Sequence, residues 1–179
     1  ARRFFALPQS EKEAVPRHDR YGYVPYRPEA IDTARASERT EFLEVGRHVE
    51  VAVPDWLTAA VRPYQRAAME VAGTLLRLLA VQLGAPADFF ADRMGDPQCR
   101  LRFLHYPPVA DDQGGDLPVR TLPHTDYGAL TLLATDGVPG LEVRPIDGPW
   151  TPVVAPAGSL VVNLGDMLAR WTNDVYRST

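Results

Sequence analysis

Lysine and cysteine are nearly missing from this chain of 179 residues. Lys12 stands alone against 18 arginines, and Cys99 is the single cysteine. One cysteine excludes a disulfide within the chain and fits a reducing compartment. Cys99 is expected to act as a small buried hydrophobe beside a strand. Long apolar runs are missing too. The best stretch, 67–83, is interrupted by Glu70, Arg77 and Gln82, short of the ~18 residues of a membrane helix. There is no basic run and the net charge is −4, which excludes the electrostatic footprint of a nucleic-acid binder. Glycine-rich phosphate loops, nucleophile elbows and cysteine-based zinc spacings are absent. So are an initiator Met and a signal peptide: the chain opens on Ala1-Arg2-Arg3-Phe4-Phe5, as though an element were already under way.

What is present is the composition of one globular domain, 45% hydrophobic and 23% charged. Arginine in place of lysine, with 22 alanines, points to GC-rich coding, as in a bacterium, and to a cytoplasmic protein. Residues 1–50 show little regular pattern. Ser10-Glu11-Lys12-Glu13 has the form of a capping box, with Pro16 ending any helix soon after. Residues 21–26 read as extended and turn-rich. The alternation in 41–46 predicts a short strand.

Residues 55–83 carry the strongest helical signal. Asp55 is placed to cap it. Leu57, Val61, Tyr64, Ala68, Val71, Leu75, Leu78, Leu79 and Leu83 recur at three- and four-residue steps. Pro63 should kink the helix or delay its start, and Gly84 should stop it. Beyond residue 100 the period becomes strand-like, with expected strands at 100–106, 119–121, 129–134, 141–144, 150–154 and 159–164. Asp147-Gly148 is expected to make a tight hairpin turn, and 111–118 to be a mobile loop. The fold class expected is mainly β with a helical N-terminal part and a jelly-roll core. The domain reading is a helical region at 1–99 and a β-core at 100–179.

The segment that carries chemistry is Leu122-Pro123-His124-Thr125-Asp126-Tyr127-Gly128. On extended backbone, residues two apart point the same way. His124 and Asp126 could then reach one cation together, as two members of a 2-His-1-carboxylate facial triad on non-haem Fe(II). The other reading is a surface histidine hydrogen-bonded to a turn aspartate. Metal binding would need a neutral imidazole and an ionised carboxylate, so acid should disfavour it.

The wider context has a family likeness. His124 to Leu133 is followed by Pro139-Gly140-Leu141-Glu142-Val143, Trp150, Gly158 to Asp166, Trp171-Thr172-Asn173 and Tyr176-Arg177-Ser178-Thr179. Ahead of it stand Arg3-Phe4-Phe5-Ala6-Leu7-Pro8, Glu11-Lys12, Gly22-Tyr23, Leu83-Gly84 and Phe89-Phe90. In this order the motifs resemble the isopenicillin-N-synthase-like family of Fe(II)/2-oxoglutarate-dependent dioxygenases, from one end of the chain to the other.

The resemblance implies a double-stranded β-helix core, a jelly roll incomplete at the C-terminus, in a fragment lacking both family termini. It implies Fe(II) held by His124 and Asp126, with the third ligand just after Thr179 and an arginine for 2-oxoglutarate some ten residues further on. It makes Tyr106, before Pro107, a contact to the co-substrate 2-oxoglutarate. Leu104 stands where relatives often carry Asn, and Leu104 and Tyr127 become substrate-pocket positions. The implied chemistry is hydroxylation or a related C–H oxidation of a small molecule, with O2 consumed and succinate and CO2 released. A 2-oxoglutarate-independent iron oxidase of the same family and a non-catalytic jelly-roll fragment are the alternatives. Neither substrate nor oligomeric state is readable.

Other residues keep plainer readings. His105 should face away from the site if Tyr106 faces it, and His18 and His48 should sit at the surface or in packing. Asp166 is expected to cap a turn. Asn163 either lines the barrel or satisfies backbone groups. Leu130 and Leu132 fill the barrel, and Trp171 and Tyr176 are expected in the core.

Overall fold

The computed structural model describes residues 1–26, 40–94, 98–108 and 121–178. Two compact units divide between Leu122 and Pro123. The division falls later than residue 100, where the sequence period changes, because the strand that starts there hydrogen-bonds back into the front unit.

In the front unit, short helices α1 (Arg2–Phe5) and α2 (Gln9–Glu13) lead into strand β1 (Gly22–Val24). Strand β2 (Glu41–Gly46) follows, with the bounds its alternation predicts. Helices α3 (Asp55–Gln82) and α4 (Phe89–Met94) precede strand β3 (Arg100–His105). The strands form one antiparallel sheet in the order β1-β2-β3, with Tyr23 opposite Leu43, Leu43 opposite Phe103 and Glu41 opposite His105. As the central strand, β2 buries Leu43 and Val45 in a core with Phe4, Phe5, Tyr23, Leu57 and Val61. Each such side chain contributes about 1.5–3 kcal/mol. Both glutamates of β2 are buried as well, which its alternation did not suggest.

Helix α3 corrects several expectations. Its N-cap is Pro54 with no side-chain cap bond, so Asp55 lies in the first turn. It runs through Pro63, a solvent-exposed position. The carbonyl that loses its i→i−4 donor belongs to Ala59, also exposed, where water can replace the bond. The buried stripe is Leu57, Val61, Gln65, Leu76 and Ala80, whereas Tyr64, Val71 and Leu78 are exposed. Steps of four keep to one face, and the seven-residue series 64-71-78 lies beside it. The helix ends as expected. Gly84, at φ +72°, donates to the Val81 carbonyl and Ala85 to that of Ala80, the two bonds of a Schellman motif. The capping box at Ser10 does not form: α2 starts after Pro8, and Ser10 lies inside it.

The back unit holds strands β4 (Leu130–Leu133), β5 (Glu142–Val143), β6 (Thr151–Pro152) and β7 (Val161–Leu164), then helix α5 (Asp166–Trp171). β4 pairs with β7 and β5 with β6, both antiparallel. The β5–β6 hairpin turns one step earlier than expected, with Gly148 donating to the Pro145 carbonyl around Ile146 and Asp147. Trp171 is exposed and Tyr176 only half-buried, so neither is a core aromatic. The expected strand at 119–121 is described only at Thr121, which lies in a bend, and the expected loop at 111–118 lies outside the described residues. The fold class needs one correction. The described chain is mixed helix and strand rather than mainly β, since α3 alone has 28 residues and no strand exceeds 6. None of its helices is long and apolar enough to cross a membrane, among the described residues.

Candidate metal centre

The N-terminus of α5 fixes the segment that leads into β4. The first backbone N–H groups of a helix have no partner within it. Here Gly165 donates to the Ala129 carbonyl at 3.0 Å, Asp166 to that of Asp126 at 2.8 Å, and Met167 to those of Tyr127 and Gly128 at 3.3 and 3.2 Å. The Thr125 hydroxyl donates to the Asp166 carboxylate at 3.0 Å, a long-range side-chain bond at the first residue of α5 rather than the turn cap expected of Asp166. The approach is close enough to require glycine at 165: a Cβ there would strike the Gly128 carbonyl oxygen and come within 2.7 Å of that of Asp126.

On this segment His124 Nε2 lies 3.8 Å from Asp126 Oδ1. That is too long for a hydrogen bond, so the turn pairing that competes with metal binding is not made between these atoms. It is short enough for both to bind one divalent cation at about 2.1 Å each. The imidazole is exposed and the carboxylate mostly covered. The other carboxylate oxygen, Oδ2, accepts a hydrogen bond from Asn163 Nδ2 at 3.0 Å. The donor set, one imidazole and one carboxylate, suits Fe(II) among other first-row metals. Among the described residues no third His, Cys, Asp or Glu joins the pair. Tyr127 is exposed and borders an open recess of about 650 Å³ that Met167, Arg170 and Asn173 also line.

The remaining candidates lie in the front unit. The Tyr106 hydroxyl is 3.0 Å from that of Thr121. Leu104 is exposed on β3, opposite Phe42. His105 stacks on Phe5, and its Nδ1 meets Glu41 Oε1 at 2.7 Å. His18 is exposed and bridges to Tyr21, and His48 is exposed in a bend. Cys99 is half-buried just before β3, and burial raises its thiol pKa against a smaller opposing pull from Arg47.

Two arrangements escape sequence reading. One is the contact of Asn163 with Asp126, signalled only by a polar residue in an apolar strand. The other is a buried cluster around Glu41, which accepts from Lys12 Nζ at 2.7 Å, from the Tyr23 hydroxyl and from His105. Burial alone would raise the Glu41 carboxyl pKa. Hydrogen bonds from Lys12, Tyr23 and His105 outweigh it and hold the group below its ordinary value. Burial first, and then the Glu41 carboxylate, push the Tyr23 phenol up.

Residues 95–179 match the 2OG-Fe(II) oxygenase superfamily. A 2-oxoglutarate-Fe(II) type oxidoreductase of Emericella nidulans, hxnY, is 31% identical over 203 residues, covering 99% of this chain and 58% of that protein. A full-length Neurospora crassa protein, solved in complex with alpha-KG, superposes with a TM-score of 0.83 at 29% identity, covering 99% of this chain and 58% of that one. A putative 2OG-Fe(II) oxygenase family protein of Caulobacter crescentus gives 0.84 at 32% identity, covering 99% and 62%. The chain thus spans about three-fifths of the length of the relatives it matches. Family match, sequence relatives and fold agree with the motif order: residues 95–179 match the 2OG-Fe(II) oxygenase superfamily, and the whole chain is similar to its members.

Proposed function

We propose that the natural protein is an Fe(II)- and 2-oxoglutarate-dependent oxygenase acting on a small molecule. The observation that carries this is the 3.8 Å separation of His124 Nε2 and Asp126 Oδ1, on a segment held by the α5 N-terminus, within a family whose solved members include complexes with alpha-KG. His124 and Asp126 hold the metal as two members of the triad. Fe(II) held there would supply the coupling of O2 reduction and 2-oxoglutarate decarboxylation, to succinate and CO2, with oxidation of a substrate C–H bond.

The chain's own residues bind and orient. The neutral imidazole and ionised carboxylate fix the cation. The Tyr106 hydroxyl, 3.0 Å from that of Thr121, contacts 2-oxoglutarate. Tyr127 and Leu104 are assigned to the substrate pocket from the family resemblance. The double-stranded β-helix core is taken to begin with β3 at residue 100, and residues 1–99 supply helices α1 to α4 together with the paired strands β1 and β2. The single cysteine and the arginine usage support a cytoplasmic, bacterial setting.

Succinate release from 2-oxoglutarate by the natural full-length protein, with Fe(II) and a panel of small molecules, tests the reading. Release is expected, and His124→Ala or Asp126→Ala should reduce it to background. No release with any of them, or release unchanged in both variants, would overturn it.

A further inference from the structure

We propose that Asn163 is a positioning residue that sets which oxygen of Asp126 faces the metal. The inference rests on the metal reading above and deepens it. Asp126 presents two oxygens with different surroundings: Oδ1 lies 3.8 Å from His124 Nε2, and Oδ2 accepts from Asn163 Nδ2 at 3.0 Å. An ionised carboxylate only accepts, so the asparagine must turn its NH2 group toward it. With Oδ2 engaged, the carboxylate cannot rotate freely, and Oδ1 is left to act as a single-oxygen ligand on the side of the imidazole. Hydrogen bonds to a metal-ligating carboxylate of this kind orient it and tune its affinity.

The placement supports an orienting role. Asn163 lies on β7, opposite Thr131 of β4, so its amide projects from a paired ladder rather than from a loop. Two residues later Gly165 begins the turn whose N–H groups bind the carbonyls of residues 126–129. Those backbone bonds already hold the main chain of the segment. The Asn163 bond acts on the one remaining freedom, the orientation of the carboxylate itself. A donor without charge also leaves the charge at the metal to His124 and Asp126, which a second carboxylate at 163 would change.

Mn(II) affinity of the natural full-length protein, measured anaerobically without co-substrate, tests the inference together with the melting temperature of the metal-free form. Asn163→Leu keeps the branched heavy-atom shape and removes the donor, and should weaken Mn(II) binding by about tenfold or more. Asn163→Gln retains an amide donor and should stay within about threefold of the parent. If Asn163→Leu does not fold, Asn163→Ala takes its place with the same expectation. A donor-free variant that binds Mn(II) as tightly as the parent, with or without a lower melting temperature, overturns the inference and leaves the metal site standing. A parent that binds no tighter than Asp126→Ala overturns the metal reading, and this inference falls with it.

Discussion

The only lysine of the chain is buried. Lys12 and Glu41 are 29 positions apart and form an ion pair at 2.7 Å, with the Tyr23 hydroxyl and His105 on the same carboxylate. Removing one member of such a pair leaves the other buried without its counter-charge, at about 3–5 kcal/mol. Lys12→Met should therefore lower the unfolding free energy by about that amount in urea titrations. Mutating a typical exposed arginine of this chain should change it by less than about 0.5 kcal/mol. The pH dependence has a definite sign. Glu41 titrates below its ordinary value of 4.5 when folded. Its stabilisation is fully present above that value, and it is lost as pH falls toward and through the lower folded value, where the unfolded chain takes up the proton first. Glu41→Gln should flatten the acid limb of a stability-versus-pH curve below about pH 4.5. An unchanged acid limb would show that other carboxylates govern it. None of this cluster is readable from local pattern. Alternation in 41–46 identifies the strand but assigns its glutamates no partner, because Lys12, Tyr23 and His105 come from three other elements. The proximity of His124 and Asp126 is readable because their two-residue spacing is local.

At the scale of elements, two glycines show why boundaries differ in how well they can be foreseen. Gly84 is required by its own dihedral angle, φ +72°, and nothing lies within 4 Å of where its Cβ would be. The sequence signals such a site by a glycine just past a helical period. Gly165 has an ordinary φ of −101° and is required by a contact with residues some 40 positions away, which no local signal carries. The consequences differ accordingly. Gly84→Ala should cost about 1–2 kcal/mol, the penalty of the left-handed region, and leave Mn(II) binding unchanged. Gly165→Ala must push α5 away from the carbonyls of Asp126 and Gly128, and so should weaken Mn(II) binding as well as stability. Melting temperatures and Mn(II) titrations of both variants separate these effects. Equal Mn(II) affinity in Gly165→Ala and the parent would mean that the α5 N-terminus does not control the pair. Helix α3 gives the complementary lesson. Its existence and its stop at Gly84 follow from the sequence, but the face it buries does not. The apolar residues at 64, 71 and 78 compete with the true stripe, and only packing decides between them, of Leu57 and Val61 in the core with β2 and α1 and of the helix against α4.

For the whole molecule, burial is uneven between the two units. The buried hydrophobic residues from Phe4 through Phe90 belong to the front unit, and Leu168 alone represents the back unit among the described residues. The back unit also exposes Val138, Ile146 and Val154, yet it carries both His124 and Asp126. Regions with few buried apolar contacts open at low free energy, and core strands open only near the global limit. A ligand that binds only the closed form adds RT ln(1 + [L]/Kd), about 2.7 kcal/mol at one hundred times Kd. If the pair binds metal, that increment should appear where the pair is. Hydrogen exchange of backbone amides in β4, β7 and the first turn of α5 should slow by up to about 100-fold at that Mn(II) excess. Amides of β2, already limited by the front core, should change far less. Asp126→Ala should abolish the slowing without altering β2. Equal slowing in β2 and β7 would show that the units open as one, and slowing that survives Asp126→Ala would place the metal elsewhere. Because the readout is local and needs no substrate, it tests the metal pair independently of turnover.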